Sequence, residues 1–300
     1  MLSFSVSILL SVVWFLVMRA FRTFKVNTLQ AVVVNYWVCV ATGLLFLEHQ
    51  VTDKTQLFTI SWNKYAFLLG LSFVGTFYLV ALTAKNVSVT LATIASKASM
   101  VIPVVVNLWV LQTTQKLFDF WNYCGVVLAL VSVLLSSIKS EDQQNKKMSQ
   151  TTFLLPLLVF FLNGLCDTGT NVLNYYFVKQ GQEALFSILT FGSAGIGGLA
   201  MLIYSIMFQK QYFEAKSLWA GIALGVPNFF SFYFLLKALT AFNNDGALVF
   251  PIFNICIILL SALLAVVIFR ENLSKLNYLG IFLSVLAIFL LAYQEIFAIH

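Results

Sequence analysis

Charged side chains are scarce in this sequence. They make up 9% of its 300 residues, whereas hydrophobic residues make up 61%, and a soluble domain carries about 25% charged residues. So few charges cannot cover a surface that faces water, so the composition excludes an ordinary soluble protein and indicates a chain whose solvent is the lipid bilayer. The net charge of +6 comes from basic residues that lie between hydrophobic runs, which argues against a nucleic-acid-binding patch and makes them signals of membrane topology.

Residues that build metal and catalytic sites are also few. The sequence has two histidines and four cysteines, and the cysteines lie in separate apolar stretches without a CxxC spacing. We therefore expect small buried hydrophobic cysteines and no metal site. No HExxH or GxSxG motif occurs, so a membrane-embedded enzyme is the least favoured function, and we expect neither a catalytic residue nor a cofactor. The absence of a GxxxxGK(S/T) motif argues against ATP as the direct energy source.

Ten stretches are apolar over about 20 residues, the length that a membrane-spanning helix needs. They are residues 2–18, 28–47, 65–84, 88–111, 119–138, 152–177, 184–207, 218–240, 246–268 and 277–297. The most polar linker, residues 139–150, separates a first half (1–138) from a second half (151–300). The sequence therefore predicts an all-α integral membrane protein with ten transmembrane helices, five in each half.

The two halves repeat each other. Ala81-Leu-Thr-Ala84 recurs as Ala238-Leu-Thr-Ala241, and the apolar run that begins at Gly125 recurs in similar form from Gly280. Since each half has an odd number of spans, the second repeat is expected to be inverted relative to the first. Internal duplication of this kind is the usual construction of a secondary transporter, with the substrate site between the copies.

Basic residues predict the orientation. The loops after the odd-numbered spans hold eleven Lys and Arg residues, and the opposite loops hold four. The richer set is expected in the cytoplasm, which leaves both termini outside the cell. No basic residue precedes the first apolar run, so that run is predicted to be a membrane helix and not a secretory signal. A bacterial inner membrane is the simplest location for such a multi-pass chain.

Two ionisable residues lie inside the predicted spans. Lys97 is in the fourth span, on one face with Thr93, and Asp167 is in the sixth. An ionisable side chain at the bilayer centre costs about 2.5–3.5 kcal/mol and is a functional-site hypothesis by default. Three asparagines share the face of Asp167 and extend the candidate substrate-binding stripe, namely Asn163, Asn171 and Asn174. The depths of Lys97 and Asp167 differ by about 6 Å, which permits an ion pair, and a static pair that only fixes the fold is the alternative.

Weaker signals point to the first, eighth and ninth spans. Trp14, Asn228 and Asn254 are further candidate substrate-binding residues. Prolines interrupt the fourth, eighth and ninth spans, namely Pro103, Pro227 and Pro251. A proline in a membrane helix frees carbonyl groups that line a site or allow bending, so a gating role is predicted for these three.

The ends of the second half resemble a known transporter family. Pro251-Ile-Phe-Asn254 is followed by Phe269-Arg-Glu-Asn-Leu273 and then by Asn277-Tyr-Leu-Gly280. This succession of proline, glutamate and glycine resembles the drug/metabolite transporter superfamily, in its ten-helix EamA-like branch. The resemblance covers essentially the whole chain. In the first half, Lys116 stands where the family has the glutamate, so that copy departs from the pattern.

The resemblance implies an inverted-repeat carrier whose central cavity opens alternately to each side. We accordingly expect a secondary active transporter that exports a small polar metabolite such as an amino acid. The cost of ionisable groups in the bilayer, and not the resemblance, singles out Lys97, which would hold a carboxylate, and Asp167, which would hold an amine or a coupling proton. The alternative on the same fold is a flippase for a lipid or a lipid-linked sugar. The expected partners are the small-molecule substrate and the bilayer, and either a monomer or a homodimer fits the sequence.

Overall fold

The structure is a computed structural model that describes residues 2–47, 62–86, 89–112, 118–137, 150–209, 212–269 and 275–296. These residues are almost entirely helical. In chain order the elements are α1 (Leu2–Thr23), α2 (Thr28–Leu47), α3 (Asn63–Asn86), α4 (Val89–Ala98), α5 (Val101–Val106), a π-helical segment (Asn107–Leu111), α6 (Phe120–Ser137), α7 (Gln150–Tyr176), α8 (Glu183–Gln209), α9 (Ala215–Ala241), α10 (Gly246–Phe269) and α11 (Lys275–Ile296). The predicted linker lies outside the described residues except for Gln150, where α7 begins.

Four helical stretches in the described part of the chain are long and apolar enough to cross a membrane, judged by length and composition. They are Thr28–Leu47, Asn63–Thr83, Glu183–Phe208 and Ala215–Ala241. The protein is therefore an all-α membrane protein. The described residues of each of the ten predicted segments are almost all helical, and the fourth is broken into three pieces. That all ten cross the membrane as two inverted repeats stays a prediction.

One compact unit comprises Met1–Gly75 and Val172–Ala241. In it, α2 packs against both α8 and α9, and α9 also packs against α1. Glycines of α9 allow this closeness, because a Cβ on Gly221 or Gly225 would lie 2.5 Å from a valine side chain of α2. Lipid gives helices no hydrophobic drive to associate, so small residues that let backbones approach are the usual means of helix packing in membranes.

The other compact unit comprises Thr76–Asn171 and Phe242–His300. Its most extensive contact is between α6 and α11. The amide nitrogen of Asn122 donates to the carbonyls of Leu290 and Leu291 across this contact, at 3.3 Å each. The remaining faces of the two helices carry exposed aromatic rings, such as Phe120 at 71% and Phe282 at 66%. Rings of this kind suit a lipid-facing surface.

Candidate functional site

The fourth predicted span is broken next to Lys97, and Pro103 explains the break. Proline has no N–H, so it cannot bond the carbonyl of Ser99 four residues earlier, and its ring crowds that carbonyl. The Ser99 carbonyl accepts instead from the backbone N–H of Ile102 at 2.9 Å. The helix consequently ends at Ala98 and resumes at Val101.

The break leaves the carbonyl of Ser96 without its helical donor. The N–H of Met100, which would bond Ser96 in a continuous helix, bonds the carbonyl of Lys97 at 3.3 Å. The Ser99 hydroxyl donates to this carbonyl at 2.6 Å, and Asn163 of α7 adds a second donor, since its Nδ2 lies 2.9 Å from the Ser96 carbonyl oxygen and 2.8 Å from Ser99 Oγ. The predicted site residue Asn163 thus holds the broken helix to α7 immediately beside Lys97.

Lys97 contacts Asn254, a predicted site residue that the sequence did not identify as its partner. The Nζ of Lys97 donates to Oδ1 of Asn254 in α10, at 3.3 Å. The Nδ2 of Asn254 donates to the backbone carbonyl of Phe250 at 3.0 Å. Because that bond occupies the amide nitrogen, the amide oxygen is the atom that faces the ammonium group. Asn254 therefore orients Lys97 from a helix that itself contains Pro251.

Asp167 of α7 lies within electrostatic range of Lys97, so the structure brings the two predicted charges together. Both side chains keep part of their surface exposed, so this charged pair is not sealed inside the unit. The two formal charges have opposite sign and cancel. Asp167, Lys97 and Asn254 come from three different helical segments of the same compact unit.

Asn107 was missed by sequence reasoning and joins three helical segments. It is fully buried, and its Nδ2 donates to the carbonyl of Pro103 at 2.7 Å. Its Oδ1 accepts from Nδ2 of Asn171 at 2.7 Å and from the backbone N–H of Gly246 at 3.2 Å. Asn107 thereby holds the broken fourth span, α7 and the start of α10 in one arrangement. Its position four residues after Pro103 was the one available signal.

The other two asparagines of the predicted stripe are buried and bonded to neighbouring helices. Asn171 donates to Asn107, and Asn174, which belongs to the other unit, donates to the Leu236 carbonyl at 3.3 Å and to Thr240 Oγ1 at 3.1 Å. These contacts are the interhelical bonds that membrane asparagines commonly make. Substrate binding by Asn171 and Asn174 stays a prediction.

Two further predicted residues belong to a different compact unit from Lys97 and Asp167. Trp14 of α1 and Asn228 of α9, which follows Pro227, belong to the first compact unit. The Nδ2 of Asn228 donates to Oδ1 of Asn35 at 3.1 Å, and the indole nitrogen of Trp14 is buried without a partner among the described residues. The side chain of Thr93 lies outside the described part of the chain.

A charged pair, a broken helix and prolines within an all-α fold define a membrane protein with a polar interior. No protein-family model matches the chain. A protein of Haemophilus influenzae (strain ATCC 51907 / DSM 11121 / KW20 / Rd) is 28% identical over 293 residues, which cover 96% of this chain and 97% of that protein, itself described only as uncharacterized. A protein of known crystal structure superposes with a TM-score of 0.75 over 100% of this chain and 98% of its own, at 12% identity. At that identity the likeness shows the fold alone.

Proposed function

We propose that the protein is a secondary active transporter for a small zwitterion such as an amino acid, and that it exports this substrate by alternating access. The observation that carries the proposal is the partly exposed pair of Lys97 and Asp167 in a chain otherwise built for lipid. Ionisable groups at such positions are expensive and usually lie on a substrate or ion path.

The chemistry of the pair favours a zwitterion. The Lys97 ammonium, oriented by Asn254, suits a carboxylate, and the Asp167 carboxylate suits a protonated amine. A substrate without net charge leaves the balance of the site unchanged, so binding buries no uncompensated charge. Proton coupling through Asp167 is part of the proposal, since an acid within a membrane span commonly serves as a proton relay.

Three prolines in the helices would allow the site to open to each side in turn. Pro103 and Pro251 lie in the segments that carry Lys97 and Asn254, and Pro227 lies in α9. Helices interrupted in this way are common at transporter sites. The proposal includes ten spans in two inverted repeats, a bacterial inner membrane, both termini outside and membership of the EamA-like branch, which the sequence patterns support.

An untargeted comparison of metabolites tests the transporter proposal. Bacteria that produce the protein are compared with matched cells that lack it, and the medium and the cytoplasm are measured by mass spectrometry. We expect a small compound with an amine and a carboxylate to accumulate outside and to be depleted inside.

Two other results would redirect or contradict the proposal. A lipid or lipid-linked sugar that changes leaflet, with no change in soluble compounds, would favour the flippase. Identical metabolite and lipid profiles, with the protein shown to be in the membrane, would contradict transport.

A further inference from the structure

Two backbone groups, one an acceptor and the other a donor, orient the amide of Asn107. A carbonyl oxygen, that of Pro103, lies 2.7 Å from one side of the amide, and an N–H, that of Gly246, lies 3.2 Å from the other. The nitrogen of Asn107 must face the carbonyl, because the reverse would place two acceptors against each other. The oxygen of Asn107 then faces the N–H of Gly246, which also donates to the carbonyl of Asn244 at 2.8 Å.

The orientation of Asn107 determines that of Asn171. Since Oδ1 of Asn107 is an acceptor, the atom of Asn171 that lies 2.7 Å away must be its Nδ2. The oxygen of Asn171 is therefore the other end of the amide. That oxygen is buried and has no donor among the described residues, and the side chain as a whole is 0% exposed. Enclosed oxygens without a donor are rare in proteins, and each calls for an explanation.

Asp167 lies one helical turn before Asn171. Side chains four residues apart on a helix share a face, with their Cβ atoms about 5–6 Å apart. An N–H···O bond spans about 2.9 Å, so a single ammonium nitrogen can reach both side chains once the neighbouring helices part, because the Asn171 oxygen is enclosed in this conformation. Its charge and one N–H would go to the Asp167 carboxylate, and a second N–H would go to the oxygen of Asn171.

We propose that Asp167 and Asn171 together form a subsite for the protonated primary amine of the substrate. This inference rests on the proposed transport function and makes it more specific. The subsite recognises N–H donors as well as positive charge. A quaternary amine has the same charge but no N–H, so it leaves the oxygen of Asn171 without a donor. Such a compound is rejected. A site built around a hydrogen bond discriminates strongly against analogues that lack it.

The selectivity of the wild-type protein tests the subsite directly. Purified protein is placed in liposomes loaded with equal amounts of the proteinogenic amino acids other than proline and their N,N,N-trimethyl derivatives, and the efflux of each compound is followed by mass spectrometry. We expect the efflux rate of the amino acid that leaves fastest to exceed that of its trimethyl derivative by at least about 100-fold.

A trimethyl derivative with an efflux rate within about threefold of that of its parent amino acid would overturn the subsite, and the transport proposal would remain. The subsite would also be overturned if the metabolite exported from cells carries no primary amine. Efflux no faster than from protein-free liposomes, for every compound, would remove the transport proposal together with the subsite. If a trapped water is the partner of Asn171, the efflux rate is expected not to depend on methylation of the amine.

A substitution separates the subsite from helix packing. Asn171→Leu keeps the branched shape and removes the acceptor, so we expect the preference for the primary amine to fall below about tenfold. Asn122→Leu is the matched control, because Asn122 is also a buried asparagine of this unit that bonds another helix. The control is expected to keep the full preference. A full preference in Asn171→Leu would overturn the subsite, and if that variant fails to fold, the wild-type series decides.

Discussion

Replacing Lys97 by alanine is expected to lower transport by at least about 30-fold. Truncating one partner of a buried charged contact costs about 2–5 kcal/mol of binding, and every 1.4 kcal/mol is a factor of ten. The ammonium of Lys97 is the group proposed to hold the substrate carboxylate. The measurement is counterflow, in proteoliposomes, of the metabolite that the cells export.

Loss of transport in this variant alone does not separate function from folding. Removal of Lys97 leaves Asp167 without its opposite charge; breaking a fully buried pair destabilises a protein by about 3–5 kcal/mol, and we expect a smaller loss for these partly exposed residues. The double variant Lys97→Met with Asp167→Asn removes both charges and keeps similar side-chain volumes. We expect it to regain the thermal stability that the single variant loses, while transport stays absent.

The double variant therefore decides between the two roles that the sequence left open. A static pair that only fixes the fold predicts recovery of both stability and transport in the double variant. Lys237→Ala is the matched control, since this lysine also lies in a helix but its Nζ is 5.0 Å from the Tyr233 ring centre in the other compact unit. Transport in the control should stay near wild type, and a loss equal to that of Lys97→Ala would contradict a specific role for Lys97.

Helix positions could be predicted from the sequence because long apolar runs favour helices in lipid. The second predicted segment, 28–47, matches α2 at both ends. The break in the fourth segment could be anticipated from Pro103 but not located. Its position depends on the bonds that Ser96 and Ser99 make with Asn163 of α7, and hydropathy along the chain carries no information about such bonds.

Partners across helices were beyond sequence reasoning for the same reason. Helical periodicity placed Asp167, Asn171 and Asn174 on one face, but it does not say which element that face meets. The structure gives Asn171 and Asn174 neighbours in different compact units. Lys97 and Asn254 are 157 residues apart in sequence, so no local pattern could pair them.

Asn107 shows how a single polar residue in an apolar run escapes notice. It stands alone among valines and leucines, and an isolated membrane asparagine is most often a packing contact. Its importance comes from the groups that surround it, namely the carbonyl of Pro103, the amide of Asn171 and the N–H of Gly246. The last two of these groups are brought to Asn107 only by the tertiary fold.

Gly246→Ala is expected to destabilise the protein by about 1–3 kcal/mol, because overpacking of a filled interior has about this cost. A Cβ at this position would overlap the amide nitrogen of Asn107 and would lie 2.5 Å from Nδ2 of Asn171. The added methyl group must push the two amides apart. The measurement is thermal unfolding of the detergent-purified protein, which should show a lower Tm than wild type.

Gly75→Ala is the matched control for that substitution. Gly75 lies in α3, and a Cβ at this position would meet nothing within 4 Å. Alanine is favoured over glycine in a helix interior by about 0.5–1 kcal/mol, so the control should leave the Tm unchanged or raise it. Because Asn107 and Asn171 orient the proposed amine subsite, Gly246→Ala should also reduce the preference for a primary over a trimethylated amine, whereas Gly75→Ala should not. A Gly246→Ala protein with wild-type Tm would show that the amides relax freely, and their orientation would then no longer support the subsite.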